Sequence, residues 1–99
     1  MASSPNMPVG TAAVAWNDGT SDHIHVYSTD GYNVTERVWN GQVWAGGSFS
    51  AKGEQVSAAC YQVGGATRIR VYCNFEDQTT EYCSDDGGNS WYQGGYTPS

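Results

Sequence analysis

Three observations predict an all-β fold for this 99-residue sequence: its composition, an internal repeat and the rhythm of its turn residues. Thirteen Gly, seven Tyr and four Trp accompany very few Leu, Ile or Met. Aromatic and β-branched residues fit the pleated surface of a sheet, and glycine supplies the turns between strands.

The repeat is read from self-similarity. His23-Ile24-His25-Val26-Tyr27 matches Arg68-Ile69-Arg70-Val71-Tyr72 at an offset of 45. Ala13 to Trp16 falls on Ala58 to Tyr61, and Thr35-Glu36 on Thr80-Glu81, at the same offset of 45. Trp44 to Phe49 then matches Trp91 to Tyr96 at 47, so the second copy carries a two-residue insertion within 84–90.

The elements follow in order. In copy one, Asn17-Asp18-Gly19, Asp30-Gly31 and Asn40-Gly41 separate alternating runs at 11–16, 22–28, 34–39 and 43–49. In copy two, Gly64-Gly65, Asn74 to Gln78 and Asp86-Gly87-Gly88-Asn89 separate runs at 56–62, 68–73, 79–84 and 90–96. Asx-Gly pairs tolerate the positive φ of tight hairpins, so each copy reads as four antiparallel strands with no helix. Four strands in about 45 residues match one propeller blade. The chain is expected to be a single domain, 1–99, of two tandem blades at about 10–50 and 55–97. Propellers close with roughly four to eight blades, and two leave their aromatics and edges open. Closure by identical chains is the expected solution, with six blades from three chains the favoured count. A self-contained eight-stranded sandwich or barrel is the competing architecture.

Charge narrows the partners. The net charge is −6, and Lys52, Arg37, Arg68 and Arg70 are the fixed cations. That leaves no basic footprint for nucleic acid or an anionic membrane. No run is long and apolar enough to span a bilayer, so a soluble chain is expected. The opening MASSPNMPVG shows no secretory leader, which points to a cytoplasmic protein or one exported by a non-standard route. Asn33-Val34-Thr35 is a glycosylation sequon, expected to be unused in that setting. Cys60, Cys73 and Cys83 are an odd set without C-x-x-C spacing, and read as small buried strand residues. No metal or cofactor is called for.

Strand parity suggests a binding chemistry. In each copy a Glu follows a basic or potentially basic residue by 11: His25 with Glu36, Arg70 with Glu81. A four-residue turn between them would make each couple a directly opposed cross-strand pair. Such pairs suit bidentate bonds to a sugar's hydroxyls and ring oxygen, though the spacing alone favours a satisfied ion pair between strands. Trp39, an odd step past Glu36, falls on the opposite face, toward the neighbouring blade. A shared pocket follows, with charged groups from one blade and an aromatic plate from the next. Each copy has one strand-borne Glu, so the paired carboxyls of a glycosidase are missing, as is any nucleophile motif. The expectation is binding without catalysis.

These residues resemble the Aleuria-type fucose-binding lectins, six-bladed propellers, and most closely the short members whose two-blade chains trimerise. The carrying motifs are Ile24-His25-Val26-Tyr27, Thr35-Glu36, Trp39-Asn40-Gly41, Trp44 and Gly46-Gly47, and again Ile69-Arg70-Val71-Tyr72, Thr80-Glu81, Trp91 and Gly94-Gly95. The resemblance spans about residues 10–97. It implies a homotrimer that binds L-fucose and fucosylated glycans multivalently. It also implies one intact site between chains, made of Arg70 and Glu81 with Trp39 and Trp44, and walled by Gly94 and Gly95. The site within one chain departs from the pattern. His25 stands where Arg belongs and Ser84 where the first Trp belongs, beside Glu36, Trp91, Gly47 and Ser48. His offers fewer donors than Arg and titrates near neutrality, so this site is expected to be the weaker. A lectin for another glycan, or a structural or partner-binding β module, are the alternative readings.

Overall fold

The computed structural model describes residues 8–98. Most of the N-terminal stretch read as lacking a secretory leader lies outside the described residues, as does residue 99. The chain forms β1 (Gly10–Asn17), β2 (Asp22–Thr29), β3 (Asn33–Trp39), β4 (Trp44–Lys52), β5 (Gln55–Val63), β6 (Ala66–Phe75), β7 (Gln78–Ser84) and β8 (Tyr92–Gln93). Two four-stranded antiparallel meanders result, β1-β2-β3-β4 and β5-β6-β7-β8. All eight strands overlap their predicted positions.

The last strand differs most, pairing over two residues where seven were expected. Gly94 N donates to Glu81 O at 2.8 Å, and Tyr96 N then donates to the Glu81 carboxylate at 3.2 Å. A side chain has replaced the ladder. The first sheet does the same within a bulge, where the register shifts between Thr35 and Arg37. Gly47 to Phe49 bulge out against Glu36, and Phe49 N donates to its carboxylate at 3.2 Å.

Register corrects the expected cross-strand pairs. Tyr27 stands opposite Glu36 and His25 opposite Val38; Tyr72 stands opposite Glu81 and Arg70 opposite Cys83. Each basic residue is thus diagonal to its Glu, not directly opposed. The turn in copy one is four residues long but begins one residue later than the spacing suggested, after the Thr29–Val34 pair. In copy two it tightens to Glu76-Asp77, both left-handed with φ of 52° and 65°. A shift of two residues keeps parity, so each couple still shares a face.

The two sheets pack through alternate residues. Val14, Tyr27, Val34 and Phe49 of the first meet Ile69, Val71 and Cys73 of the other. Phe49 lies edge-on to Tyr27 at 5.6 Å and to Tyr82 at 5.4 Å. All three thiols are free, with Cys73 and Cys83 buried and Cys60 partly so. Burial pushes the Cys73 thiol up to about 11. Strand alternation has a directional consequence. The His25–Glu36 face of the first sheet points into the interface, whereas the equivalent Arg70–Glu81 face of its neighbour points away from it. Trp39 and Trp44 pair on the outer face of the first sheet. Among the described residues, no helix is long and apolar enough to cross a membrane.

Candidate functional site

The outward face of the β5–β8 sheet gathers Arg70, Tyr72 and Glu81 on neighbouring strands β6 and β7. Arg70 Nη1 donates to Asp85 Oδ1 at 3.0 Å, Ile69 O at 3.0 Å and Ser84 O at 3.3 Å. Its guanidinium lies 5.5 Å from the centre of the Tyr61 ring, so the planar group is held between an anion and an aromatic face. Partial burial works against the charge, but Asp85 outweighs it and raises the guanidinium above its ordinary value.

Glu81 does not touch Arg70 here. Its Oε2 accepts the Tyr72 hydroxyl at 2.8 Å and its Oε1 the Tyr96 amide at 3.2 Å. The Glu81 bond pushes the Tyr72 phenol up to about 12. Gly94 is required by close approach, because a Cβ there would fall 2.1 Å from Glu81 Oε1. Gly95 has open space around it. The face therefore presents a fixed cation, a carboxylate with lone pairs to spare, and several aromatic rings.

The equivalent groups of the first sheet are closed in. His25 Nδ1 lies 2.8 Å from Glu36 Oε2, with side chains 6% and 0% exposed. The Trp16 ring covers His25 at 4.9 Å. From the other side Gly88, in the inserted stretch of the second copy, approaches so closely that a Cβ would lie 2.7 Å from His25 Cε1. Gly88 O accepts the Ser48 hydroxyl at 2.9 Å. Burial works to raise the Glu36 carboxyl, but His25, the Tyr27 phenol and the Phe49 amide outweigh it and hold it low. Gly47 stands against Glu36 as Gly94 does against Glu81, a Cβ there falling 2.0 Å from Oε1.

A cavity of about 650 Å³ opens beside this buried pair, lined by His25, Glu36, Gly47 and Ser48 among others. Trp91 and Ser84 do not line it but bond residues that do. Trp91 packs on Phe49 at 4.7 Å and donates to Ser48 Oγ at 3.2 Å, while Ser84 is fully buried and bonds Asp86. Sequence reasoning missed four neighbours of Arg70 (Tyr61, Tyr72, Asp85 and Tyr92). Tyr72 was within reach of parity, standing two residues from Arg70 on one strand. It also missed Trp16 and Asp18 at the cavity, where His23 stacks on Trp16 at 5.2 Å and bonds Asp18 at 2.8 Å.

Trp39 and Trp44 lie 5.6 Å apart with tilted rings on the far side of the first sheet, and Trp44 is 45% exposed. Within one chain they cannot reach Arg70, because both sheets lie between.

No family model matches the chain. The chain is similar to the fucose-specific lectin of Aleuria aurantia, 34% identical over 97 aligned residues. The match covers 89% of this chain and 29% of that lectin's length.

Proposed function

Because the chain is related to the family of the Aleuria aurantia fucose-specific lectin, we propose that it is a carbohydrate-binding lectin for L-fucose and fucosylated glycans, acting without catalysis. The observation that carries this reading is the state of Arg70. One guanidinium nitrogen is spent on Asp85 and two carbonyls, and among the described residues Nε and Nη2 make no hydrogen bond. A permanently charged fork with free donors, beside a carboxylate with free lone pairs, matches the vicinal hydroxyls and ring oxygen of a pyranose. The apolar edge of a deoxy sugar needs an aromatic plate as well.

That plate comes from another copy of the chain. The face of Arg70 and Glu81 is open, and so is the face of Trp39 and Trp44; they point in opposite directions. Tyr61, Tyr92 and Tyr96 on one side and Trp44 on the other are each 45–49% exposed, so both outer faces hold apolar surface that a ring of chains would cover. Three chains closing six blades would bring Arg70, Glu81, Gly94 and Gly95 of one protomer against Trp39 and Trp44 of the next. Such a ring presents several sites at once and gains avidity on glycan-coated surfaces. The pocket of His25 and Glu36 within the chain contributes little, since His25 Nδ1 and both Glu36 oxygens are engaged inside the fold and Gly88 overlies it.

Hapten inhibition tests the reading. Agglutination blocked by free L-fucose, but not by galactose or mannose, and lost in Arg70→Ala, is expected. Unchanged glycan binding by Arg70→Ala would reject the site. A stable monomer in light scattering would reject the ring.

A further inference from the structure

Asp85 belongs to the stretch that carries the two-residue insertion, and its carboxylate does more than close a turn. Its Oδ1 holds Arg70 Nη1 at 3.0 Å, and its Oδ2 accepts the Tyr92 hydroxyl at 2.7 Å. The same Oδ1 stands 3.9 Å from Arg68 Nε, a longer contact that leaves Arg70 as the principal partner. Hydrogen bonds from Tyr92 and Arg70 keep the Asp85 carboxyl below its ordinary value.

We propose that Asp85, oriented by Tyr92, is the positioning residue of the sugar site: it fixes Arg70 so that Nε and Nη2 face the ligand. The proposal rests on the lectin reading and deepens it. An arginine side chain carries about 2 kcal/mol of rotamer entropy, so an unanchored guanidinium would lose that freedom on binding each sugar. Here the anchors are already in place. Nη1 is tied to Asp85 and to the carbonyls of Ile69 and Ser84, and the Tyr61 ring sets the plane. Glu81 is not the counter-ion of Arg70, being held by Tyr72 and Tyr96 instead. Both of its oxygens therefore keep acceptor capacity for hydroxyls rather than being neutralised by the neighbouring cation. Asp85 thus supplies charge balance from behind, and the recognition pair stays divided into a donor and an acceptor.

The test measures L-fucose affinity of the assembled protein by calorimetry, alongside its thermal unfolding, for Asp85→Ala, Asp85→Asn, Tyr92→Phe and Arg70→Ala. Asp85→Ala is expected to weaken L-fucose binding by about tenfold, the scale of one charge-assisted hydrogen bond. Asp85→Asn keeps an oxygen acceptor for Arg70 and should recover most of that loss, while Tyr92→Phe should fall between. Unfolding temperatures should stay near that of the unsubstituted protein, because Asp85 is partly exposed at the rim. Equal affinity in Asp85→Ala and the unsubstituted protein overturns the positioning role. So does an equal loss in Asp85→Ala and Asp85→Asn, because a positioning acceptor would have been rescued. If Arg70→Ala itself binds L-fucose undiminished, the lectin site falls and this role with it. If Arg70→Ala is inactive while Asp85→Ala is intact, the positioning role alone fails.

Discussion

His25 Nδ1 lies 2.8 Å from Glu36 Oε2 in the interface between the two sheets, and neither side chain is more than 6% exposed. The equivalent residues of the β5–β8 sheet, Arg70 and Glu81, stand on an open face and each bonds a different partner. One arrangement serves the fold and the other faces outward.

Removing one member of the buried pair should cost stability. Glu36→Ala leaves His25 and the Phe49 amide without their acceptor, a loss of about 3–5 kcal/mol by analogy with broken buried pairs. Glu36→Gln keeps an acceptor and should cost less. Urea unfolding of both variants measures the difference.

The same pair sets an acid limit. Glu36 titrates below its ordinary value of 4.5 in the folded chain. A carboxyl depressed by folding stabilises the fold above its unfolded value, and that contribution is lost as pH falls through the lower folded one. The unfolding temperature should therefore drop as pH falls below 4.5, and drop less steeply in Glu36→Gln.

The two glycines that admit the carboxylates should respond differently. A Cβ at Gly47 or Gly94 meets a Glu oxygen at 2.0 or 2.1 Å. Glu36 is buried and cannot move aside, so Gly47→Ala should destabilise by about 1–3 kcal/mol, the cost of overpacking. A Cβ at Gly94 also falls 2.7 Å from the buried Cys83 sulfur. Gly94→Ala should therefore lower the unfolding temperature too, but by less, because partly exposed Glu81 can shift. It should also reduce sugar binding. Calorimetry on both variants separates the outcomes.

If the better pocket joins two chains, defects should complement. Arg70→Ala and Trp44→Ala chains alone should each fail to agglutinate. Refolded together, they would form mixed rings in which an intact Arg70 meets an intact Trp44, and part of the activity should return. No recovery on mixing would place the aromatic plate within the chain that carries Arg70.

The Glu76-Asp77 turn holds two non-glycine residues at positive φ. Left-handed backbone costs about 1–2 kcal/mol per ordinary residue, and Asn-Gly suits both positions of such a turn. The double variant Glu76→Asn, Asp77→Gly should raise stability by about 1–2 kcal/mol in chemical denaturation. It lies away from Arg70 and Glu81, so L-fucose affinity should not change.

Much of the fold was legible because strands and turns are local. Asp30-Gly31 and Asn40-Gly41 announce their hairpins, and alternation puts Glu36 and Trp39 on opposite faces whatever the register. The register itself was not legible. Glu76-Asp77 carries no glycine, so its two-residue turn is invisible, and the direct Arg70–Glu81 opposition inferred from spacing is off by two residues. The contacts of Asp85 and Gly88 were not legible for a related reason: loop residues have no periodicity to reveal where they return.

By itself, then, the sequence determined the strand content, the parity of each side chain, and which basic residue shares a face with which Glu. Those properties depend on neighbours along the chain and on the alternation of a pleated strand. Only the tertiary structure decided which couple is buried and which is open. The first sheet turns its His25–Glu36 face onto its neighbour, whose own Arg70–Glu81 face is left uncovered. That outcome follows from packing two like-oriented sheets front to back, which uses one face of each and leaves the other two uncovered.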